Sequence, residues 1–264
     1  ETNRAFFDLC VKGGALPSRG FQQRSLYEEV VQPLVEQGGR TAFVLVDALR
    51  FEMAQGLAEE LSKEKVRVSL TARLAELPTI TAVGMNALAP VERDGRLRLL
   101  LDQGSPAGFV AREFAVKKPT DRVRAIEQRS LGEGALDMEL ADFLELDGKQ
   151  LEQRVKGKPL IVVRSLELDT AGEHALHLGT FEQTLTQLKS AISRLRRAGV
   201  DRFVITSDHG FLLQDPTTDN VPFGVSKRVP KRRHALLAEP SGMADVLEVK
   251  LSALGYEVEG CEEN

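Results

Sequence analysis

The chain has 264 residues, 42% of them apolar and 28% charged, with a formal net charge of −4. That length can bury the core of one large α/β domain, or of a domain plus an insertion. The slight negative charge excludes a generally basic surface built for nucleic acid or membranes.

Two cysteines, Cys10 and Cys261, form no disulfide framework and point to a reducing compartment. There is no signal peptide and no apolar run near the roughly 18 residues of a membrane span, so the chain reads as cytoplasmic. It opens on Glu1 rather than Met, which reads as a piece of a longer protein.

Residues 1–35 read as an N-terminal helical segment, with Leu26, Val30 and Leu34 at helical spacing. Gly38 and Gly39 end it, and one domain is expected over 36–264. The run AFVLVD (42–47) is continuously apolar, as in a strand buried on both faces. A helix follows, with Phe51, Ala54, Leu57, Ala58 and Leu61 on one stripe. VRVSLTARL (66–74) alternates and predicts a second strand. Pro78 interrupts the chain, and 81–89 reads as a short helix.

Residues 91–158 mix Gly, Pro and charge, with short helical patterns at 121–129 and 136–146. This stretch reads as a small irregular insertion or cap. PLIVVRSLEL (159–168) predicts another buried strand. Thr180 and Gln183 have capping-box spacing. The helix behind them carries Phe181, Leu185, Leu188, Ile192 and Leu195 and stops at Gly199. DRFVITSD (201–208) is the next strand. Residues 212–236 read as loop with a hairpin, 241–253 as helix and 256–259 as strand. Strands alternating with helices predict an α/β fold: a mainly parallel sheet with helices on both faces.

The chemistry-bearing residues stand where these strands run out, the place where open α/β sheets bind ligands. Asp47 follows FVLV. Alone it reads as the N-cap of the helix over 49–62. Asp208, His209 and Gly210 follow VITS, and alone they read as a turn. Both Asp and His are also ligands for a hard or borderline divalent metal. Asp169 ends a third strand, with Glu173 and His174 just beyond, a spacing that suits a turn wrapped round an ion. His177 reads as a solvated helix residue, and His234 as a loop histidine in KRRH. Thr79 and Thr81 precede a helix and read as caps unless metal ligands surround them. A bound metal would stabilise a threonine alkoxide and make it a nucleophile.

The order of these pieces resembles the alkaline phosphatase superfamily, and their text resembles its PglZ domain branch. VDALRFE (46–52), LPTITAVGMNAL (77–88), DTAGE (169–173) and ITSDHGF (205–211) carry the resemblance, which covers roughly residues 36–240. It implies an alkaline-phosphatase-like fold and a metal-dependent phosphoesterase with two divalent ions, Zn²⁺ first, with Mn²⁺ or Mg²⁺ as alternatives. Asp47, Thr81, Asp208 and His209 would surround one ion. Asp169, either Glu173 or His174, and His234 would hold the other. Many superfamily members have a His where this chain has Glu173, which leaves both residues open as the ligand.

Thr81 is the implied nucleophile, as the second threonine of the PTIT segment. Arg50 either faces the substrate phosphate or pairs with a nearby carboxylate such as Glu52. The basic stretch Lys227, Arg228, Lys231, Arg232 and Arg233 would attract a nucleotide or nucleic-acid backbone, which favours diesters over monoesters. The family also implies a bacterial phage-defence system of the BREX type, with other defence proteins as partners. The competing reading is a catalytically inactive, metal-binding module that docks such proteins. A phosphate-transfer enzyme of the phosphoglycerate mutase kind would need a larger second domain than 91–158 provides.

Overall fold

A computed structural model describes residues 2–64, 66–129, 134–165, 178–211, 234–243 and 248–258. The main sheet has four parallel strands in the order β5-β6-β1-β7. These are β1 (Thr41–Val46), β5 (Ala135–Glu139), β6 (Leu160–Ser165) and β7 (Arg202–Ser207). Every residue of β1 is buried, as its unbroken apolar run requires of a central strand covered on both sides.

Alternate residues of β1 feed two cores. Ala42, Val44 and Val46 pack with Ile161 and Val163 against α3 (Phe51–Ser62), α6 (Leu140–Glu145), α7 (Gly148–Val155) and α8 (Leu178–Arg197). Phe43 and Leu45 pack with Leu160 and Val162 against the turn at Tyr27–Val31, α4 (Thr81–Ala87) and α5 (Pro119–Arg129). Helices therefore cover both faces, as the alternation of elements predicts. The N-terminal region carries α1 (Thr2–Gly13) and α2 (Gln32–Glu36), joined by short 3-10 and π turns.

A second sheet has the order β4-β3-β2-β8, from β2 (Leu97–Asp102), β3 (Ser105–Ala111), β4 (Phe114–Val116) and β8 (Tyr256–Val258). Its core joins Leu97, Leu99, Phe109 and Tyr256 to Val83 and Ala87 of α4. The strand expected at 256–259 is present as β8, but the sequence pattern does not announce β2, β3 and β4. β3 contains Pro106 and Gly108, and its pairing with β2 is broken by a register shift between Leu100 and Leu101.

Several expectations need correction. Residues 66–74 form no strand; a single bridge joins Leu74 to Gln22. Their alternation has no partner strand to pair with, and alternation alone does not make a ladder. The helical pattern expected over 136–146 splits: 136–139 pair with β6 at the edge of the main sheet, so docking overrides local preference, and only 140–145 form helix. In α3, Leu57 and Leu61 are buried, but Phe51 is 50% exposed. The expected helix over 241–253 is absent where it is described; only Leu251–Leu254 form a 3-10 turn. The helix behind β6 begins at Leu178, ahead of Thr180.

One buried polar cluster ties three distant segments together. Arg24 is wholly buried and forks onto Glu76, with Nε 2.8 Å from Oε1 and Nη2 on Oε2. Nη2 also donates to the Leu254 carbonyl at 2.8 Å. The Tyr256 hydroxyl lies 3.0 Å from Glu76 Oε2 and 2.7 Å from the Leu77 carbonyl oxygen. Burial and the Glu76 charge together raise the Tyr256 phenol far above its ordinary acidity range.

Candidate metal centre

The parallel register of the main sheet makes the site. Val46 of β1 stands opposite Ser207 of β7. The next residues along each strand are Asp47 and Asp208, so both carboxylates leave the same edge side by side. On the other side, Val46 stands opposite Ser165 at the end of β6, and the Asp47 amide donates to the Ser165 carbonyl at 2.9 Å.

Asp47 and Asp208 are 4% and 0% exposed, and His209 is 4% exposed. Oxygens of the two aspartates and a ring nitrogen of His209 all lie within 4.8 Å of one another. His209 Nε2 is 3.4 Å from Asp208 Oδ2 and 3.8 Å from Asp47 Oδ1. Ligands on a tetrahedral zinc, at the usual bond lengths, are about 3.3–3.5 Å apart. Two carboxylates and an imidazole at these separations fit a divalent cation, and so does the chemistry of the donors: oxygen and nitrogen, no thiolate.

The local backbone sets each donor. Ala48 has φ +59°, a left-handed conformation rare for a residue with a side chain. That turn aims its N–H at Asp208 Oδ1, 3.0 Å away, and the His209 N–H donates to the same oxygen at 2.8 Å. Both bonds favour the ionised carboxylate and leave Oδ2 toward the centre. His209 Nδ1 lies 3.0 Å from the Gly210 carbonyl oxygen. A carbonyl only accepts, so Nδ1 carries the hydrogen and Nε2 presents its lone pair inward.

The Thr81 hydroxyl lies 3.2 Å from His209 Nε2. The centre thus gathers Asp47, Thr81, Asp208 and His209, one of the two ligand sets expected from sequence. Neither simple capping alternative applies. Arg50, not Asp47, occupies the N-cap of α3, and Ile80, not Thr81, that of α4. Arg50 pairs with Glu52 and lies 5.2 Å from the centroid of the Phe211 ring. His234 is half-buried and does not join the Asp47, Asp208 and His209 group. Asp169, Glu173, His174, His177 and the basic stretch 227–233 lie outside the described residues.

Close packing holds the first turn of α4 against β7. A Cβ placed on Gly84 would overlap the Asp208 carbonyl oxygen and lie 2.9 Å from the carbonyl carbon. Backbone cannot swing aside as a side chain can. Gly84→Ala is expected to destabilise the fold by about 1–3 kcal/mol through overpacking and to weaken metal binding as well. Thermal denaturation with and without added metal measures both effects.

Two nearby residues carry no sequence signal. Arg122 of α5 is 7% exposed, and its Nη1 donates to Asn86 Oδ1 at 2.9 Å. Burial and the Arg164 charge push its pKa down to about 10, against the opposing pull of Asp137, Asp208 and Asp47. Gln23, 3% exposed, reaches the backbone at Ser207 and Asp208. Nothing in the spacing of either residue marks it, because both act from elements remote in sequence.

A parallel α/β sheet that carries two aspartates, a histidine and a threonine at one edge is the build of an alkaline-phosphatase-like domain. Residues 26–235 match the BREX system PglZ alkaline phosphatase-like domain, and the chain belongs to that family. It is 23% identical over 239 residues to the alkaline phosphatase-like protein PglZ of Bacillus cereus (strain H3081.97), covering 87% of this chain and 27% of that protein. It is 28% identical over 207 residues to the alkaline phosphatase-like protein BrxZ of Escherichia coli O9:H4 (strain HS), covering 73% of this chain and 22% of that protein. The chain thus spans about a quarter of the length of these curated relatives. Among the described residues, no helix is long and apolar enough to cross a membrane.

Proposed function

We propose that this chain is a metal-dependent phosphoesterase, with Thr81 as its nucleophile, acting within a phage-defence system. The observation that carries this reading is the Thr81 hydroxyl 3.2 Å from His209 Nε2, beside the buried carboxylates of Asp47 and Asp208. Asp47, Asp208 and His209 would hold one divalent ion. Asp169, Glu173 or His174, and His234 would hold a second. When bound, such ions would lower the pKa of a hydroxyl and offset charge on a transferring phosphoryl group. Zn²⁺ suits the donors, with Mn²⁺ and Mg²⁺ as alternatives.

Thr81 Oγ1 attacks phosphorus as the bond to the leaving oxygen breaks, its proton going to solvent and the leaving oxygen taking one up from solvent. The product is a phosphothreonine, which water then hydrolyses to restore the hydroxyl. Asp208, fixed by the Ala48 and His209 amides, keeps its place through both steps. Arg50 would turn from Glu52 to the substrate phosphate. The basic stretch 227–233 favours a phosphodiester, a nucleotide or a nucleic-acid backbone over a simple monoester. Of the stretch 91–158, only the part before β5 would serve as a cap or insertion, since β5, α6 and α7 belong to the main sheet and its helical cover. Residues 36–264 would be the alkaline-phosphatase-like domain and 1–35 its N-terminal segment. Other defence proteins would be its partners, in the cytoplasm.

The test is metal titration together with turnover of a chromogenic diester and a monoester. Asp208→Asn keeps the acceptor for both amides and removes the charge. It should weaken metal binding by at least roughly 100-fold, at or beyond the upper range for outer-shell changes, and turnover should fall with it. A wild-type chain that takes up neither Zn²⁺, Mn²⁺ nor Mg²⁺ would overturn the phosphoesterase reading, and one that binds metal without turnover would favour the docking module.

A further inference from the structure

We propose that Gln23 is a positioning residue for the metal centre, an inference that rests on the phosphoesterase reading above. Its side-chain amide joins the two segments that supply the chemistry. Nε2 donates to the carbonyls of Ser207 and Asp208, each at 2.8 Å. Oε1 accepts from the Glu76 amide at 3.1 Å. Ser207 and Asp208 end β7, and Glu76 begins the stretch that leads through Pro78 to Thr81. One buried amide therefore spans the gap between a metal-binding strand end and the nucleophile segment.

The segment around Gln23 is itself anchored to that same stretch. The Leu74 amide donates to the Phe21 carbonyl at 2.8 Å, and Arg73 Nη1 reaches the Gln22 carbonyl at 2.8 Å. Arg24 grips the Glu76 carboxylate. The donor side of Gln23 then reaches across to β7. The Asp208 carbonyl is held by the Gln23 amide and packed tightly against Gly84. Its side chain takes the Ala48 and His209 amides. A shift of the Asp208 backbone would move Asp208 and His209 together relative to Thr81.

Glutamine is the residue this task needs. It offers two donor hydrogens to two carbonyls and an acceptor to one amide. Gln23→Glu keeps the length and the acceptor but turns a negative oxygen toward two carbonyls. Gln23→Met keeps the length and removes all three bonds. Partners that orient a metal ligand typically change metal affinity or activity by roughly 10–100-fold when lost.

The experiment compares wild type, Gln23→Glu, Gln23→Met and Val155→Ala, the last a wholly buried core position in α7. Two quantities are read: the Zn²⁺ dissociation constant of the folded protein, and hydrogen exchange at the Ala48 and His209 amides without metal. Both Gln23 variants should weaken Zn²⁺ binding by roughly 10–100-fold and speed exchange at both amides. Val155→Ala should lower the melting midpoint and leave both readouts at wild-type values. Gln23 variants that melt earlier but keep wild-type affinity and exchange would make this residue a fold element only, and would leave the phosphoesterase reading standing. A wild-type chain that binds no metal would remove that reading, and exchange at Ala48 and His209 would still decide whether Gln23 fixes Asp208.

Discussion

Thr81→Ala is expected to lower phosphodiester turnover by roughly 10⁴-fold or more, the scale seen when a covalent nucleophile is removed, while metal binding stays measurable. On the proposed mechanism the two outcomes separate, because Thr81 would contribute the attacking oxygen, whereas Asp47, Asp208 and His209 would supply the charged or basic donors. Thr79→Ala is the internal control, since Thr79 precedes the helix that carries Thr81. Full turnover in Thr81→Ala together with loss in Thr79→Ala would move the nucleophile to Thr79. Single-turnover kinetics with a chromogenic diester, and phosphothreonine detection by mass spectrometry, read the result directly.

Arg24→Met should destabilise the folded chain by about 3–5 kcal/mol, because it leaves the Glu76 carboxylate buried without its cation. The Arg24 and Glu76 side chains are 0% and 5% exposed, so water cannot replace the lost partner. The same charge would then face the Tyr256 hydroxyl and the Gln23-bound loop. A double variant, Arg24→Met with Glu76→Met, should recover much of the loss, since an apolar pair of similar volume carries no desolvation cost. Chemical denaturation of the two single variants and the double variant measures the coupling. An Arg24→Met protein as stable as wild type would show that solvent or another cation reaches Glu76.

The centre of the main sheet was legible because β1 and β6 are buried on both faces. AFVLV and LIVV are unbroken apolar runs that few other structures accommodate. Asp47 was legible for the same reason, as the first charged residue after such a run, and Asp208 as the first charged residue after the shorter apolar FVI of the half-buried β7. The strands β2 to β4 were not, because β3 is interrupted by Pro106 and Gly108, β4 is very short, and the sheet is stabilised by α4 and by β8 far along the chain. β5 was read as helix because ALDME has no strand signature of its own and owes its form to β6. At the centre, ligands could be named from residue type, but the supports could not. Gln23 and Arg122 are ordinary polar residues until the fold brings them beside Asp208.

The matched family span closes at residue 235, yet β8 adds a parallel strand beside β2 and the Leu254 carbonyl receives Arg24. A fragment trimmed to 26–235 would lose Gln23, Arg24 and that outermost strand at one stroke. Leu97 and Leu99 would then stand at a raw sheet margin, inviting self-association. Expression boundaries for this domain are better drawn from its hydrogen-bonding than from the extent of sequence likeness.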